Sequence, residues 1–400
     1  MSEIIGFAID NSPFYGPWLL EHGFDRAAAA DPRNWDRLPI LERSVVKEHA
    51  AAFPTQDDSP KNSRDAQTGG STGEPLRTRH DARVPSLAFS WRMYSWWGVE
   101  PSDNLARIGR WRFDRWATLR NGLEWWPTSQ LYLDASVISP ATVGPFAERF
   151  QRVKPRLFEG YVGAMLEFAD FVEANSISLP APVAVATTAA PLTESARARL
   201  EAVFGAPVYD EYRGSEVGWM AGECSAREGL HIFADWRRID IVDEEGHRLP
   251  AGEIGDIVIT DLGNRVFPLI RYRLGDKGIL LDEPCSCGRS LPLMASPQGR
   301  TTDLIRLPSG AVLAHRLMGM FSGAPDAVRL FQIHQQSDYS ITVRVVLGSA
   351  GDARAAVGRA VEALRERIQH EVPVVVEVVD ALPYTGGKVK YVISDVPPRT

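Results

Sequence analysis

Short apolar runs bounded by glycine, proline and small polar residues recur along this chain, and their period changes with position. In the first 60 residues helical pattern alternates with turn signals at Pro13, Pro17, Pro32 and Pro39. Residues 61–75 form a polar loop rich in Gly, Ser and Thr. The Trp- and Arg-rich stretch 91–126 fits a pair of core helices with snorkelling arginines better than a pocket wall. Residues 141–174 predict two helices broken near Pro155. An apolar run at 183–186 predicts a strand, an amphipathic helix follows through Arg199, and 206–209 predicts the next strand. Strands alternating with helices in this way imply βαβ units and a mostly parallel sheet.

The texture changes beyond residue 235. Short strands at 238–243 and 254–260, separated by the turns Glu245-Gly246 and Ala251-Gly252, predict an antiparallel, barrel-like part. From Asp303 the pattern becomes α+β, with strands at 330–334, 339–346 and 372–379 and a helix at 352–369. The expected fold is therefore α/β. A large domain, 1–301, combines a mixed parallel sheet with the antiparallel part, and a small α+β domain, 302–400, follows it.

Composition narrows the function classes. The 400 residues are 44% hydrophobic and 24% charged, as in ordinary globular proteins. With 44 Lys and Arg against 51 Asp and Glu, the net charge is −7, which argues against nucleic-acid binding through a basic surface. No apolar run approaches the roughly 20 residues that span a bilayer, so no membrane role is expected. Glu3 and Asp10, with no basic run around them, do not resemble a signal peptide. Three cysteines cannot make a disulfide scaffold, so a cytoplasmic protein is expected.

Five segments carry candidate chemistry. Thr68-Gly69-Gly70-Ser71-Thr72-Gly73-Glu74-Pro75 offers glycines, hydroxyls and free N–H groups to an anion, without the spacing of a Walker A loop. Tyr209-Asp210-Glu211-Tyr212-Arg213-Gly214-Ser215-Glu216 follows a strand, where open α/β sheets bind ligands. There an aromatic ring can cover a base and a carboxylate can hold Mg²⁺. Tyr272-Arg273-Leu274-Gly275-Asp276 ends in an Asp able to accept from a ribose diol. Gly299-Arg300-Thr301-Thr302-Asp303 lies at the proposed boundary, and Gly386-Gly387-Lys388 near the C-terminus. Taken singly, each is also an ordinary polar turn.

In order, spacing and residue type these segments resemble the adenylate-forming superfamily, and within it the phenylacetate–CoA ligase-like branch. The resemblance covers nearly the whole chain. The stretch from Glu223-Cys224 through Gly229-Leu230-His231-Ile232 to Cys285-Ser286-Cys287-Gly288-Arg289 resembles that branch specifically. It implies an acid–thiol ligase: a carboxylic acid, expected to be aryl or arylacetic, reacts with MgATP to give acyl-AMP and pyrophosphate. A thiol then takes the acyl group from AMP. Coenzyme A or the phosphopantetheine of a carrier protein would be that thiol; an amine acceptor and an inactive nucleotide-binding homologue are the alternatives. The resemblance implies Ser71, Thr72 and Gly73 at the β/γ-phosphates and Thr188, Ala189, Ala190 and Pro191 beside the adenine. Glu211, Tyr212, Arg213 and Ser215 would line the nucleotide, with Tyr212 on the adenine face, Glu216 on Mg²⁺ and Asp276 on the ribose. Arg300 would approach the ribose or a phosphate, Thr302 and Asp303 would form a hinge, and Lys388 would reach the reacting carboxylate and α-phosphate when the small domain closes. A homodimer is implied as well.

Four positions depart from the family pattern: Glu74 where a Lys is usual, Arg213 where a Gly is usual, and Ala190 and Thr302 where acidic residues are usual. Cys224, His231, Cys285 and Cys287 have the residue types of a tetrahedral zinc site, although C-x₆-H and C-x-C are not the usual paired spacings. Buried free thiols with a hydrogen-bonded His231 are the other reading.

Overall fold

The computed structural model describes residues 1–67, 76–110, 115–135, 138–297, 305–309, 312–313, 317, 320–321, 324–382 and 390–396. The chain forms two compact units, each assembled from separate stretches: 1–93 with 212–297, and 94–211 with 298–400.

In the first unit, the short helices Ser2–Asn11, Tyr15–Glu21, Arg26–Ala30 and Arg43–Glu48 precede an antiparallel hairpin of Ser63–Gln67 and Arg77–Asp81. Asp25 caps the third of these helices, its carboxylate accepting from the Ala28 amide at 2.7 Å. Six strands follow in the spatial order Arg237–Val242, Ile254–Asp261, Tyr272–Leu281, Leu293–Met294, Leu230–Ile232 and Gly218–Glu223, each neighbouring pair antiparallel. This is the antiparallel part that alternation and glycine turns predict. Its core gathers Leu41, Phe53, Tyr212, Val217, Met220, Ile257 and Tyr272.

The second unit carries the parallel sheet, in the order Gln130–Asp134, Leu105–Gly109, Leu157–Tyr161, Ala184–Thr188 and Val208–Gly214. The last strand runs on into the first unit at Tyr212. Helices Pro140–Val153, Val162–Ala174 and Glu194–Phe204 supply the crossovers. Thr193 caps the third, its hydroxyl accepting from Ala196 at 3.2 Å, and Gly205 ends it at φ +63°. Gly160 is required by close approach, since a Cβ there would lie 2.9 Å from the Ile108 carbonyl oxygen. The C-terminal part builds a four-stranded sheet ordered Val374–Val378, Ile341–Leu347, Val328–Gln335 and Val392–Ser394, with the helix Ala353–Arg367. These are the strands and the helix that the pattern beyond 303 predicts, joined by a further edge strand.

Two expectations need correction. The segment 141–174 is not simply two helices, because the strand Leu157–Tyr161 lies between them. The stretch 91–126 is not a core helix pair either: between the helices Ser86–Trp96 and Arg115–Glu124 runs the strand Leu105–Gly109. Trp97 is buried there, whereas Trp116 and Trp126 are 68% and 79% exposed. Arg107 does not snorkel. Its Nε lies 3.4 Å from the buried Glu159 carboxylate, which also accepts from the Tyr94 hydroxyl. No described helix is long and apolar enough to cross a membrane.

Candidate nucleotide site and a Cys/His cluster

The first unit brings together two of the candidate segments, 64 residues apart in sequence. The Tyr212 hydroxyl donates to Asp276 Oδ2 at 2.8 Å. Tyr212 sits on the strand Val208–Gly214 and Asp276 on Tyr272–Leu281. The second segment is held in an unusual backbone: Arg271 has φ +49° and Gly275 φ +81°. A left-handed conformation is cheap for glycine but costs a branched or bulky residue about 1–3 kcal/mol, so surrounding bonds must hold it. They do so for Arg271. Its amide donates to Thr260 Oγ1 at 3.0 Å, and its guanidinium donates to the carbonyls of Trp35 at 2.9 Å and Gly246 at 3.1 Å.

Glu216 lies in the same unit, and its Oε1 accepts from Arg43 Nη1 at 3.2 Å. Tyr272 is buried beside this pair. Burial first of all, and then the Glu216 carboxylate, push its phenol well above the usual range. Arg213, the residue that replaces glycine, stacks its guanidinium over Trp219, 4.6 Å from the ring centroid. Its side chain thus lies along the sheet. His80 Nε2 is 2.8 Å from the Ser215 carbonyl oxygen, tying the hairpin strand Arg77–Asp81 to the turn before Glu216. The sequence does not mark Arg43, and it leaves His80, shortly after the loop 68–75, as an ordinary surface histidine. A basic residue at a helix start and a lone histidine carry no spacing signal, and only pairing across 173 and 135 positions distinguishes them.

The second unit holds the other described candidates. Thr188 ends the strand Ala184–Thr188, and Ala189 beyond it has φ +73°, again a left-handed backbone at a non-glycine residue. Ala190 and Pro191 complete the turn, with Ala190 partly buried against the core. Glu211 is buried, directly before Tyr212. Trp97 and Tyr209 stack at 4.7 Å with rings 2° from parallel, which fixes the strand leading into Glu211. Ser71, Thr72 and Gly73, together with Arg300, Thr302, Asp303 and Lys388, lie outside the described residues.

The four Cys/His residues converge in the first unit. All their ligand atoms lie within 4.8 Å of one another. Cys224 Sγ is 3.6 Å from Cys285 Sγ, and Cys287 Sγ is 3.3 Å from His231 Nε2. Zinc–sulfur bonds of about 2.3 Å at tetrahedral angles put two sulfurs about 3.8 Å apart, so the donor set and its size both fit zinc. The strand pairing explains the convergence. Gly222 and Glu223, just before Cys224, pair with His231 and Leu230, and Leu293 pairs with His231 from the other side. The Ala226 amide donates to Cys224 Sγ at 3.4 Å, and Glu228 binds the Ser286 amide and hydroxyl at 2.7 and 2.6 Å, clasping the two cysteine turns together.

Comparison with known proteins agrees with the fold. The chain is 25% identical to the phenylacetate-coenzyme A ligase of Thermus thermophilus over 352 residues, 83% of this chain and 76% of that protein. It is 30% identical to the enzyme of the same name from Aromatoleum evansii over 194 residues, 46% of this chain and 42% of that one. The crystal structure of 2-hydroxyisobutyryl-CoA ligase in complex with R3-HIB-AMP superposes with a TM-score of 0.77 at 20% identity, covering 98% of this chain and 88% of that one. No protein-family model matches the chain. The fold and these relatives agree in making the chain similar to the phenylacetate–CoA ligases of the adenylate-forming superfamily.

Proposed function

We propose that this protein is an AMP-forming acid–coenzyme A ligase. The observation that carries the reading is the Tyr212–Asp276 hydrogen bond, with Glu216 four residues after Tyr212. One unit thus carries an aromatic ring for the adenine, a carboxylate that can accept from the ribose and a carboxylate that can bind a metal ion. In the first step a carboxylate oxygen of the acid attacks the α-phosphorus in line. The new O–Pα bond forms as the Pα–O–Pβ bond breaks, and pyrophosphate leaves with Mg²⁺. In the second step the thiolate of coenzyme A attacks the acyl carbon, and AMP leaves with the oxygen that came from the acid.

Such a transfer demands charge neutralisation and positioning rather than covalent help. Tyr212 covers the adenine face, Asp276 accepts from the ribose hydroxyls and Glu216 binds Mg²⁺. Thr188, Ala189, Ala190 and Pro191 border the adenine, and Glu211, Arg213 and Ser215 shape the strand and turn. Ser71, Thr72 and Gly73 hold the β/γ-phosphates and Arg300 the ribose side. Lys388 neutralises the reacting carboxylate and α-phosphate, delivered by a mobile domain, 302–400, that turns about Thr302 and Asp303. Thr68–Pro75, Arg300 and Lys388 enter through the family resemblance. Cys224, His231, Cys285 and Cys287 hold a structural zinc ion, which would cross-link the two cysteine turns to the antiparallel sheet. A homodimer rests on the resemblance alone, and a cytoplasmic location on the scarcity of cysteines.

The test is pyrophosphate release with MgATP across aryl, arylacetic and short aliphatic acids, without acceptor and then with coenzyme A. Acid-dependent release stimulated by coenzyme A is expected. Release that coenzyme A leaves unchanged moves the acceptor to a carrier-protein thiol or an amine. Absence of acid-dependent release in a protein that binds ATP contradicts ligase activity.

A further inference from the structure

The segment 68–75 contains no lysine or arginine and carries Glu74, so the loop assigned to the phosphates supplies no side-chain cation of its own. Triphosphate binding needs one, because the charge on the β- and γ-phosphates exceeds what a single Mg²⁺ neutralises. In the first unit, the basic groups around the Tyr272–Asp276 segment are mostly committed elsewhere. Arg271 is buried and bound to carbonyl groups. Arg273 donates to Glu42 at 2.8 Å and to Asp256, and Lys277 lies 2.6 Å from Asp256. Arg43 differs, since its carboxylate partner is Glu216, the proposed magnesium ligand.

The position of Arg43 is built. Leu41 bridges to Tyr272, its amide donating to the Arg271 carbonyl at 2.9 Å while its carbonyl accepts from Arg273 at 3.1 Å. Glu42 is clamped by Arg273. Arg43 then opens the helix Arg43–Glu48, with a side chain 38% exposed against 11% for Glu216. An anchored backbone thus holds this partly exposed side chain beside Glu216. A guanidinium binds carboxylate and phosphate oxygens with the same fork of donors.

On the nucleotide-site reading above, we propose that Arg43 contacts the β- and γ-phosphates of MgATP. The Glu216 carboxylate and a phosphate oxygen are alternative acceptors for one guanidinium. As Glu216 turns to Mg²⁺, Arg43 passes to the phosphates and supplies the positive charge that Glu74 withholds. No covalent bond changes in this exchange. Pyrophosphate leaves bound to the same guanidinium, so Arg43 binds the leaving group as well.

The experiment is calorimetric titration of the full chain with MgATP and with AMP, for wild type, Arg43→Ala, Arg43→Lys, Glu216→Gln and the Arg43→Ala/Glu216→Gln double variant, each checked by its melting curve. A charge-assisted contact predicts that Arg43→Ala weakens MgATP binding about ten- to a hundredfold. AMP, which lacks the β- and γ-phosphates, should bind within about twofold of wild type on the same grounds. Arg43→Lys should recover part of the loss. The loss should persist when Arg43→Ala is made in the Glu216→Gln background. If Arg43→Ala is silent in that background, Arg43 only holds Glu216 and the proposal is overturned. Equal weakening of AMP and MgATP overturns it too. If wild type binds neither nucleotide, the nucleotide-site reading itself fails and the Arg43 assignment falls with it.

Discussion

Arg237 links the stability of the antiparallel sheet to the position of Glu216. Arg237 and Asp261 have side chains only 4% exposed, and Nη1 donates to Asp261 Oδ1 at 2.6 Å. The same guanidinium donates to the carbonyls of Val217 at 2.7 Å, Trp236 at 2.8 Å and Trp219 at 3.1 Å. Arg237→Met keeps much of the volume and removes every donor. Among the described residues, Asp261 then keeps the amides of Gly263 at 3.1 Å and Asn264 at 3.3 Å and loses its guanidinium partner. Breaking a buried ion pair from one side costs about 3–5 kcal/mol. For a folding unit of about 150–250 residues that lowers Tm by about 6–20 °C. Val217 follows Glu216 directly, so the KM for MgATP should rise together with the loss of stability. Differential scanning calorimetry and urea unfolding measure the first effect, and initial rates the second. Arg237→Met/Asp261→Asn should regain at least about half of the lost stability, because the uncompensated charge is gone. A single variant that loses less than about 1 kcal/mol, or a double variant no better than the single, would refute the reasoning.

Three further outcomes follow from the same geometry and assignments. Tyr212→Phe removes the hydroxyl that holds Asp276 and should raise the KM for MgATP about three- to tenfold with little change in Tm, as expected for one hydrogen bond of about 1 kcal/mol; initial rates and a melting curve check both. Purified protein should carry one zinc ion per chain by elemental analysis, and Cys285→Ser or chelation should lower Tm and release the metal. Lys388→Ala should reduce adenylation about a hundredfold or more, the scale of losing a group aimed at transition-state charge, while thioester formation from supplied acyl-AMP and coenzyme A persists; comparing the two half-reactions tests this.

The parts of the fold legible in the sequence are those where pattern and environment agree. The strand Ala184–Thr188 is an apolar run buried at every position, and the helix Ala353–Arg367 shows its stripe in Ala356, Val357, Val361 and Leu364. The strand Leu157–Tyr161 escaped because Glu159 and Gly160 imitate a turn. The partners Arg107 and Tyr94, which help make Glu159 tolerable in the interior, come from other elements. Trp116 and Trp126 misled in the opposite sense, since aromatic residues imply burial on average and these two are exposed. At the candidate site, motif order points to Tyr212, Glu216 and Asp276, and the structure adds the bond between the first and the last. Arg43 was not legible. Its significance arises from Leu41 and Glu42 docking on the strand Tyr272–Leu281, an interaction that no local pattern encodes.

The central claim is that a carboxylate oxygen attacks the α-phosphorus of ATP, and oxygen transfer tests it most directly. An acid found active in the pyrophosphate assay is labelled with ¹⁸O in both carboxylate oxygens and turned over with MgATP and coenzyme A, and the AMP is analysed by mass spectrometry. Acyl-adenylate chemistry predicts one ¹⁸O in each AMP formed and one in the thioester carbonyl. AMP without label, or label recovered in inorganic phosphate, would contradict the account.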